Sequence, residues 1–167
     1  MTTQTETTVT TQMYQVFISA TPEAIWEAIT SPEWIEKYGY RGRAEYELKP
    51  GGSYKAFATE DMLAMGTPDV VVEGEVVEAD PPRRLVQTYR FNWSPDLIAE
   101  GFTKVTWETQ DEGEGITRLT VTHELEGAPL HAEQVAGLTA LNQGGGGWSW
   151  ILSDLKTLLE TGNALGS

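Results

Sequence analysis

The sequence predicts an α+β domain in which a curved antiparallel sheet of about seven strands wraps around a long C-terminal helix. Three observations favour this fold class: an amphipathic helical pattern near the end of the chain, six strand-like segments joined by turns, and two helix-start signals after a first strand. We expect a single domain over residues 12–162, a disordered tail at 1–11 and a short C-terminal tail at 163–167.

The long helix is predicted within residues 144–162, where apolar side chains recur at helical spacing. The apolar stripe consists of Trp148, Ile151, Leu152, Leu155, Leu158 and Leu159. Ser149, Ser153, Asp154, Lys156, Thr157 and Glu160 fall on the other side, which predicts an exposed polar face. Gly162 stands where a left-handed residue ends a helix. The stripe has to pack on the predicted sheet.

One strand and two short helices precede the meander. Residues 13–20 alternate between two faces, one more apolar than the other, which is the period of a strand. The triplets TPE at residues 21–23 and SPE at residues 31–33 each combine a hydroxyl N-cap, a proline and an acidic residue. They predict two consecutive short helices, the first of which buries Ile25, Trp26 and Ile29.

Six further strands are predicted after Gly39. They cover residues 44–48, 54–59, 70–79, 84–91, 102–109 and 116–125. The turns between them contain glycine, proline or acidic residues, as in the KPGG sequence at residues 49–52. Short turns join antiparallel neighbours. The alternation of Val105 and Trp107 with polar residues indicates a sheet with one solvent-exposed face.

Composition excludes several function classes. The 167 residues contain no cysteine, so thiol catalysis, disulfides and thiolate metal sites are ruled out. A net charge of -14 would repel phosphate backbones and anionic lipids, so we expect neither a nucleic-acid partner nor a membrane partner. No apolar run reaches the roughly 18 residues of a membrane helix, and the first residues do not resemble a signal peptide. The expected location is the cytoplasm.

Four sequence motifs carry a family resemblance. KPGGSY, VVVEGEVVEADPPRRLVQTY, TRLTVTHEL and GGGGWSWILSDL occur in that order over about residues 14–159. They resemble the START-like or SRPBCC superfamily, also called Bet v 1-like, whose fold is the helix-grip. Within it the chain is similar to the branch of the activator of heat-shock-protein-90 ATPase homologues. The superfamily includes lipid carriers, polyketide cyclases, hormone receptors and self-resistance proteins, so the resemblance implies a fold rather than one function.

The resemblance implies a ligand cavity between the concave sheet face and the long helix. A long helix cannot touch a strongly curved sheet everywhere, so the residues alone also favour an apolar pocket there. The predicted ligand-binding residues are Tyr46, Tyr54, Gln87, Tyr89, Trp107, Val121, His123, Trp148, Ile151 and Leu152. Each has a structural alternative. The ring of a tyrosine is often packed in the core with only its hydroxyl in solvent, and Trp148 can serve as core packing.

His123 is the candidate catalytic residue, because it is in phase with the apolar Leu119 and Val121 on one strand face. The alternative is a core or rim histidine that makes one structural hydrogen bond. His123 and His131, the two histidines of the chain, lack a helical i, i+4 relation, so no metal site is expected. Phosphate-cradling and dinucleotide motifs are missing as well, and no cofactor is expected.

Two stretches beside the predicted cavity leave alternatives open. Residues 133–142 carry Val135, Leu138 and Leu141 at roughly helical spacing, so a helical segment is predicted there. The glycines at 144–147 that follow are either a hinge for a lid formed by residues 128–143 or a place where backbone segments approach closely. Residues 61–63 are expected in an irregular stretch, either at the cavity mouth or in an ordinary surface loop.

Three function classes remain from the sequence. The first is a protein that binds a small apolar or aromatic molecule as a carrier, for sequestration or as self-resistance to a toxic product. The second is an enzyme of the cyclase or dehydratase type that uses the same cavity. The third is an acidic protein-interaction module resembling a co-chaperone. The first, without catalysis, is the main prediction, for a monomer or a homodimer.

Overall fold

Seven strands form one antiparallel sheet in the computed structural model, which describes residues 10–166. The strands are β1 (Thr11–Ile18), β2 (Ala44–Tyr46), β3 (Ser53–Phe57), β4 (Val70–Asp80), β5 (Arg84–Phe91), β6 (Thr103–Gly113) and β7 (Ile116–Glu124). Their order is β1-β7-β6-β5-β4-β3-β2. Strands β2 to β7 therefore form the predicted meander, and β1 joins it at the far side beside β7.

The helices of the described chain lie between and after these strands. They are α1 (Pro22–Thr30), α2 (Pro32–Ile35), α3 (Glu60–Ala64), α4 (Pro95–Glu100), α5 (Pro129–Ala136) and α6 (Gly147–Thr161), with a 3-10 turn at Leu141–Gln143. The predicted fold class is confirmed: a curved seven-stranded sheet with two short helices after β1 and a long C-terminal helix.

Bulges bend the sheet around the helix. The register shifts between Ala56 and Phe57 in β3 and between Val76 and Glu78 in β4. An extra residue on one strand bends it and increases the local twist, so both shifts curve the half of the sheet formed by β2 to β5. This curvature separates that half from α6, which leaves room for a cavity.

Helix α6 packs its predicted stripe against the sheet. Trp148, Leu152, Leu155 and Leu158 are buried, and Ile151 and Leu159 are partly buried. Leu155 belongs to the same core cluster as Ile18, Leu119 and Val121, and all four are fully buried. Burial of such side chains stabilises the fold by roughly 1.5–3 kcal/mol each, so this contact is a main source of stability.

Asp154 corrects the predicted polar face of α6, because its side chain is fully buried. Its carboxylate accepts hydrogen bonds from the backbone N–H of Gly39 at 2.8 Å and from that of Leu165 at 2.7 Å. The guanidinium of Arg41 lies 3.8 Å away. Helical spacing cannot reveal this role, because the partners lie in a loop and beyond the end of the helix.

The start of β1 and two connecting segments differ from the sequence predictions. Residues 1–9 of the predicted tail lie outside the described residues, and Thr11 belongs to β1, opposite Glu124. The helical segment expected at residues 133–142 is instead α5 and the 3-10 turn, with Leu138 exposed. The stretch at 61–63, expected to be irregular, lies in α3, capped by the Thr59 hydroxyl.

Candidate functional site

A cavity of about 400 Å³ lies between the curved half of the sheet and the first turns of α6. Strands β2 to β6 supply its floor, and α6 and the loop at residues 38–42 lie across it. Seven of the ten predicted ligand-binding residues line it: Tyr46, Tyr54, Gln87, Tyr89, Trp107, Trp148 and Ile151. Val121, His123 and Leu152 do not line the cavity, and all three are buried in the core.

Strand β5 and the residues after it set the direction of the cavity. Gln87, Tyr89, Phe91 and Trp93 are two residues apart and all line the cavity. Residues at this spacing project from one face of a strand, roughly 6.6 Å apart. Gln87 is 1% exposed and Trp93 is 37% exposed. The closed inner end is therefore at Gln87 and the mouth is at Trp93.

Aromatic rings form a continuous row from the inner end to the mouth. The ring centroids of Tyr46 and Tyr54 are 4.6 Å apart, and those of Tyr54 and Tyr89 are 6.1 Å apart. The row continues from Tyr89 to Phe91 at 5.3 Å and from Phe91 to Trp93 at 4.3 Å. Tyr54 and Tyr89 are stacked with an interplanar angle of 16°, whereas Phe91 meets Tyr89 edge-to-face at 78°. The row therefore forms an extended apolar wall.

The amide of Gln87 organises the polar groups at the inner end. Its Oε1 accepts a hydrogen bond from the Tyr46 hydroxyl at 2.8 Å and one from Nε1 of Trp107 at 3.3 Å. Among the described residues, neither the Nε2 group of Gln87 nor the hydroxyl of Tyr89 has a hydrogen-bond partner. The buried Thr67 hydroxyl, also in the cavity wall, lacks one too.

Arg41 is the one charged residue among those that line the cavity. Its side chain is 44% exposed and donates to the carbonyl oxygen of Leu165, so its charge is directed away from the inner end. Burial raises the pKa of Tyr46, and it likewise raises the pKa of Tyr54 and that of Tyr89. These phenols are therefore neutral at physiological pH, and the inner end carries polar but uncharged groups.

His123, the candidate catalytic residue, lies in the core, where both of its ring nitrogens have partners. Nε1 of Trp148 donates to Nδ1 of His123 at 3.1 Å, and Nε2 of His123 lies 2.7 Å from the Thr103 hydroxyl. Burial and the nearby His131 lower the pKa of His123 to about 3, so the ring is neutral. This is the structural alternative described for His123 from the sequence.

His131 is a second buried histidine with a structural role that the sequence did not predict. Its Nδ1 lies 2.7 Å from Oε1 of Glu100, and its Nε2 accepts from the backbone N–H of Phe91 at 3.0 Å. The pairing of β5 with β6 ends at Tyr89, so β6 offers no acceptor to the backbone N–H of Phe91. The ring of His131 supplies that acceptor. Nothing in the spacing of residues 91, 100 and 131 indicates this contact.

The mouth is framed by α3, α5 and the glycine-rich loop before α6. Met62, Met65, Gln134 and Gln143 contribute to its wall. The Tyr40 hydroxyl donates to the carbonyl oxygen of Gly145 at 2.9 Å and accepts from the backbone N–H of Gly147 at 3.1 Å. These bonds tie the glycine-rich loop to the loop at residues 38–42.

Close backbone packing accounts for Gly145. A Cβ atom at this position would lie 1.8 Å from the carbonyl oxygen of Thr139, a distance that no side chain tolerates. A Cβ atom at Gly147 would lie 2.1 Å from the carbonyl oxygen of Val135. Of the two explanations left open by the sequence, the structure favours close approach of backbone segments.

The described part of the chain lacks the features of two other kinds of site. Residues 10–166 contain no group of three or more histidine, aspartate or glutamate residues placed to hold a metal ion. Over the same residues, every helix is too short or too polar to cross a membrane.

Comparison with known proteins gives a family match and several structural likenesses. The family described as "Activator of Hsp90 ATPase homolog 1-like protein" matches residues 19–160. No curated protein shows significant sequence similarity to the chain. Protein MLL2253 from Mesorhizobium loti has a similar structure, with 20% identity, a TM-score of 0.65, and coverage of 89% of this chain and 96% of that one.

Two further solved structures are similar at comparable levels. The Aha1 dimer from Colwellia psychrerythraea is 19% identical, with a TM-score of 0.62 and coverage of 91% of this chain and 97% of that one. DynU16, a protein of the dynemicin biosynthetic locus, is 24% identical, with a TM-score of 0.64 and coverage of 93% of this chain. This chain spans 49% of DynU16 and 59% of the crystallised CalU16 from Micromonospora echinospora. At these identities the likeness shows the fold.

Proposed function

This chain belongs to the family of activator of Hsp90 ATPase homolog 1-like proteins, and we propose that it binds a small apolar or aromatic molecule in its cavity. The observation that carries the proposal is the aromatic row that leads from an exposed Trp93 to a buried Gln87. A cavity of about 400 Å³ is within the size range of small-molecule sites, and its mostly apolar wall with a few polar groups is typical of them.

The energetics of the cavity wall support a ligand. Apolar surface that a ligand removes from water contributes roughly 25 cal/mol per Å², so a flat molecule covering the aromatic row gains several kcal/mol. Unpaired buried polar groups cost about 1–3 kcal/mol each, and a ligand that pairs them removes this cost. The Thr67 hydroxyl is such a group. Gln87 and Tyr89, which also line the cavity, offer further donors that no group of the described residues accepts.

We propose carriage, sequestration or self-resistance to a natural product as the role of this binding. DynU16 belongs to the dynemicin biosynthetic locus, and its fold is shared with this chain. The aromatic row supports a flat natural product as ligand, since such molecules stack on aromatic side chains. The cyclase alternative has less support, because His123 has no free ring nitrogen and does not line the cavity.

Native mass spectrometry of the freshly purified protein tests the proposal directly. We expect a co-purifying small molecule, or a rise in melting temperature with aromatic natural products, because a ligand that binds only the folded state stabilises it. Ala56→Phe would fill the cavity from β3 and should abolish the effect. Lys55→Phe places the same side chain on the exposed face of that strand and should leave binding intact. Equal binding by both variants would refute the cavity as the site.

A further inference from the structure

The inner end of the cavity presents hydrogen-bond donors that no group within residues 10–166 accepts. The Trp107 indole nitrogen can only donate, so the Gln87 atom 3.3 Å from it must be the oxygen. The same oxygen accepts from the Tyr46 hydroxyl. Both lone pairs of Oε1 are therefore occupied, and the orientation of the amide is fixed. Its two N–H groups point elsewhere, without a partner among the described residues.

Tyr89 adds a second unpaired donor beside Gln87. The two residues are separated by one position on β5 and line the cavity together. The phenol of Tyr89 is 9% exposed and its hydroxyl has no hydrogen-bond partner in the described chain. Burial raises its pKa well above the usual value, so it keeps its proton and acts as a donor.

Because the described residues place no charged group at the inner end, only some classes of ligand group can pair with these donors. A carboxylate placed there would lose its hydration without gaining a cation, since Arg41 is engaged by Leu165 and is partly in solvent. An ammonium group would likewise lose its hydration without gaining a counter-charge, because no carboxylate of the described chain lines the cavity. A neutral acceptor with two lone pairs, such as a carbonyl oxygen, can accept from both Gln87 Nε2 and Tyr89.

We propose that the inner end selects an aromatic ketone, quinone or related ligand by binding its neutral carbonyl oxygen between Gln87 and Tyr89. This inference rests on the proposed function and specifies the ligand class for that cavity. The ring system of the ligand lies along the aromatic row towards Trp93, so the carbonyl enters first. The difference in exposure between Gln87 on β5, at 1%, and Trp93 after the end of that strand, at 37%, fixes this orientation.

Three probes with one ring system test the inference by calorimetric titration. 9-Fluorenone carries a carbonyl oxygen, fluorene lacks it, and fluorene-9-carboxylate carries a negative charge in its place. We expect wild type to prefer fluorenone to fluorene and to bind the carboxylate at least about tenfold more weakly than fluorenone, because the buried anion has no counter-charge. Equal affinity for fluorenone and fluorene would overturn the acceptor site, as would tighter binding of the carboxylate.

Tyr89→Phe removes one donor and leaves no protein group unpaired, so the variant should fold. We expect it to reduce the preference for fluorenone over fluorene by about threefold to tenfold, which corresponds to one hydrogen bond. Tyr14→Phe is the control, since the Tyr14 hydroxyl bonds to Gln12 and Val135 and lies outside the cavity. Preservation of the wild-type preference in Tyr89→Phe overturns the inference and leaves the proposed function standing. Failure of all three probes to bind overturns both.

Discussion

Trp148 Nε1 donates to Nδ1 of His123 over 3.1 Å, and this bond connects the first turn of α6 to β7 behind the cavity. The Thr103 hydroxyl donates to the carbonyl oxygen of Tyr89 at 2.7 Å, so it receives the Nε2 proton of His123. A neutral imidazole with its proton on Nε2 satisfies every group in this series. A second proton on Nδ1 would face the indole N–H and break the link.

Stability should therefore fall when His123 is protonated. The pKa of His123 is lowered to about 3 in the folded protein, while an unfolded histidine titrates near 6.5, so the unfolded state binds more protons between these values. The contribution of neutral His123 to the free energy of unfolding is complete above pH 6.5. It decreases by about 1.4 kcal/mol for each pH unit from there down to the pKa of the folded protein. We expect urea denaturation at pH 7 and pH 5 to show this loss in wild type.

His123→Gln is the matched variant for that measurement, because it retains His131 and every carboxylate. We expect it to be less stable than wild type at pH 7, since one substituted amide cannot reproduce both hydrogen bonds, and to depend less on pH. Ligand affinity should change by no more than about 1–2 kcal/mol, because the ring does not line the cavity. A variant with the full wild-type pH dependence would show that another group titrates.

Asp154→Asn tests the buried carboxylate on α6. The backbone N–H groups of Gly39 and Leu165 each donate to one carboxylate oxygen, and an amide can accept only one of these bonds. We expect a loss of about 1–3 kcal/mol in unfolding free energy, measured by urea denaturation. Ser153→Ala, at the exposed neighbouring position, should change stability by less than about 0.5 kcal/mol. Equal effects would place Asp154 on the surface of the helix.

The sequence predicted the elements whose pattern is local. The stripe of α6, the paired strands and the Thr21 N-cap of α1 all follow from spacing over a few residues. The start of α2 was also predicted, but the Ser31 side chain makes no capping hydrogen bond. The signal Ser94-Pro95-Asp96, which begins α4, is of the same kind as the SPE triplet at residues 31–33 and could have been read in the same way. Local pattern did not reveal the buried Asp154, because its partners are far away in sequence.

The cavity residues on β5 could be predicted because alternation along a strand decides which face of the sheet a side chain occupies. Gln87 and Tyr89 lie on the concave face of the curved half of the sheet, as alternation on β5 predicts. Val121 and His123 also point to the interior, but both are fully buried in the core, where His123 bonds to Trp148 of α6, and neither lines the cavity. Alternation shows which side chains face inward. The distance between the sheet and the helix depends on bulges that the sequence pattern does not locate.

Leu155→Ala and Ile151→Ala should differ although both residues belong to the apolar stripe. Leu155 is fully buried, so truncation leaves a new cavity and should cost about 2–5 kcal/mol. Ile151 is partly buried and already lines the cavity, so its truncation enlarges an existing space and should cost less. Thermal unfolding measures both. If Ile151→Ala proved the more damaging change, the cavity would be filled or closed in solution.

Gly145→Ala distinguishes close backbone packing from a hinge in the loop before α6. Gly145 is buried and its φ lies outside the left-handed region, so an alanine is opposed by contact alone. Because the new Cβ would lie 1.8 Å from the Thr139 carbonyl oxygen, we expect a loss of about 1–3 kcal/mol or more in urea denaturation. A hinge would behave differently: alanine would leave stability equal or higher and slow ligand exchange.

Gly144→Asn is the control for that variant in the same loop. Gly144 has a φ of +76°, which asparagine tolerates better than other residues, and no atom lies within 4 Å of an added Cβ. We expect a change of less than about 1 kcal/mol, because the substitution meets open space. If Gly144→Asn were as destabilising as Gly145→Ala, backbone strain throughout the loop would explain both, and the contact with Thr139 would not be the cause.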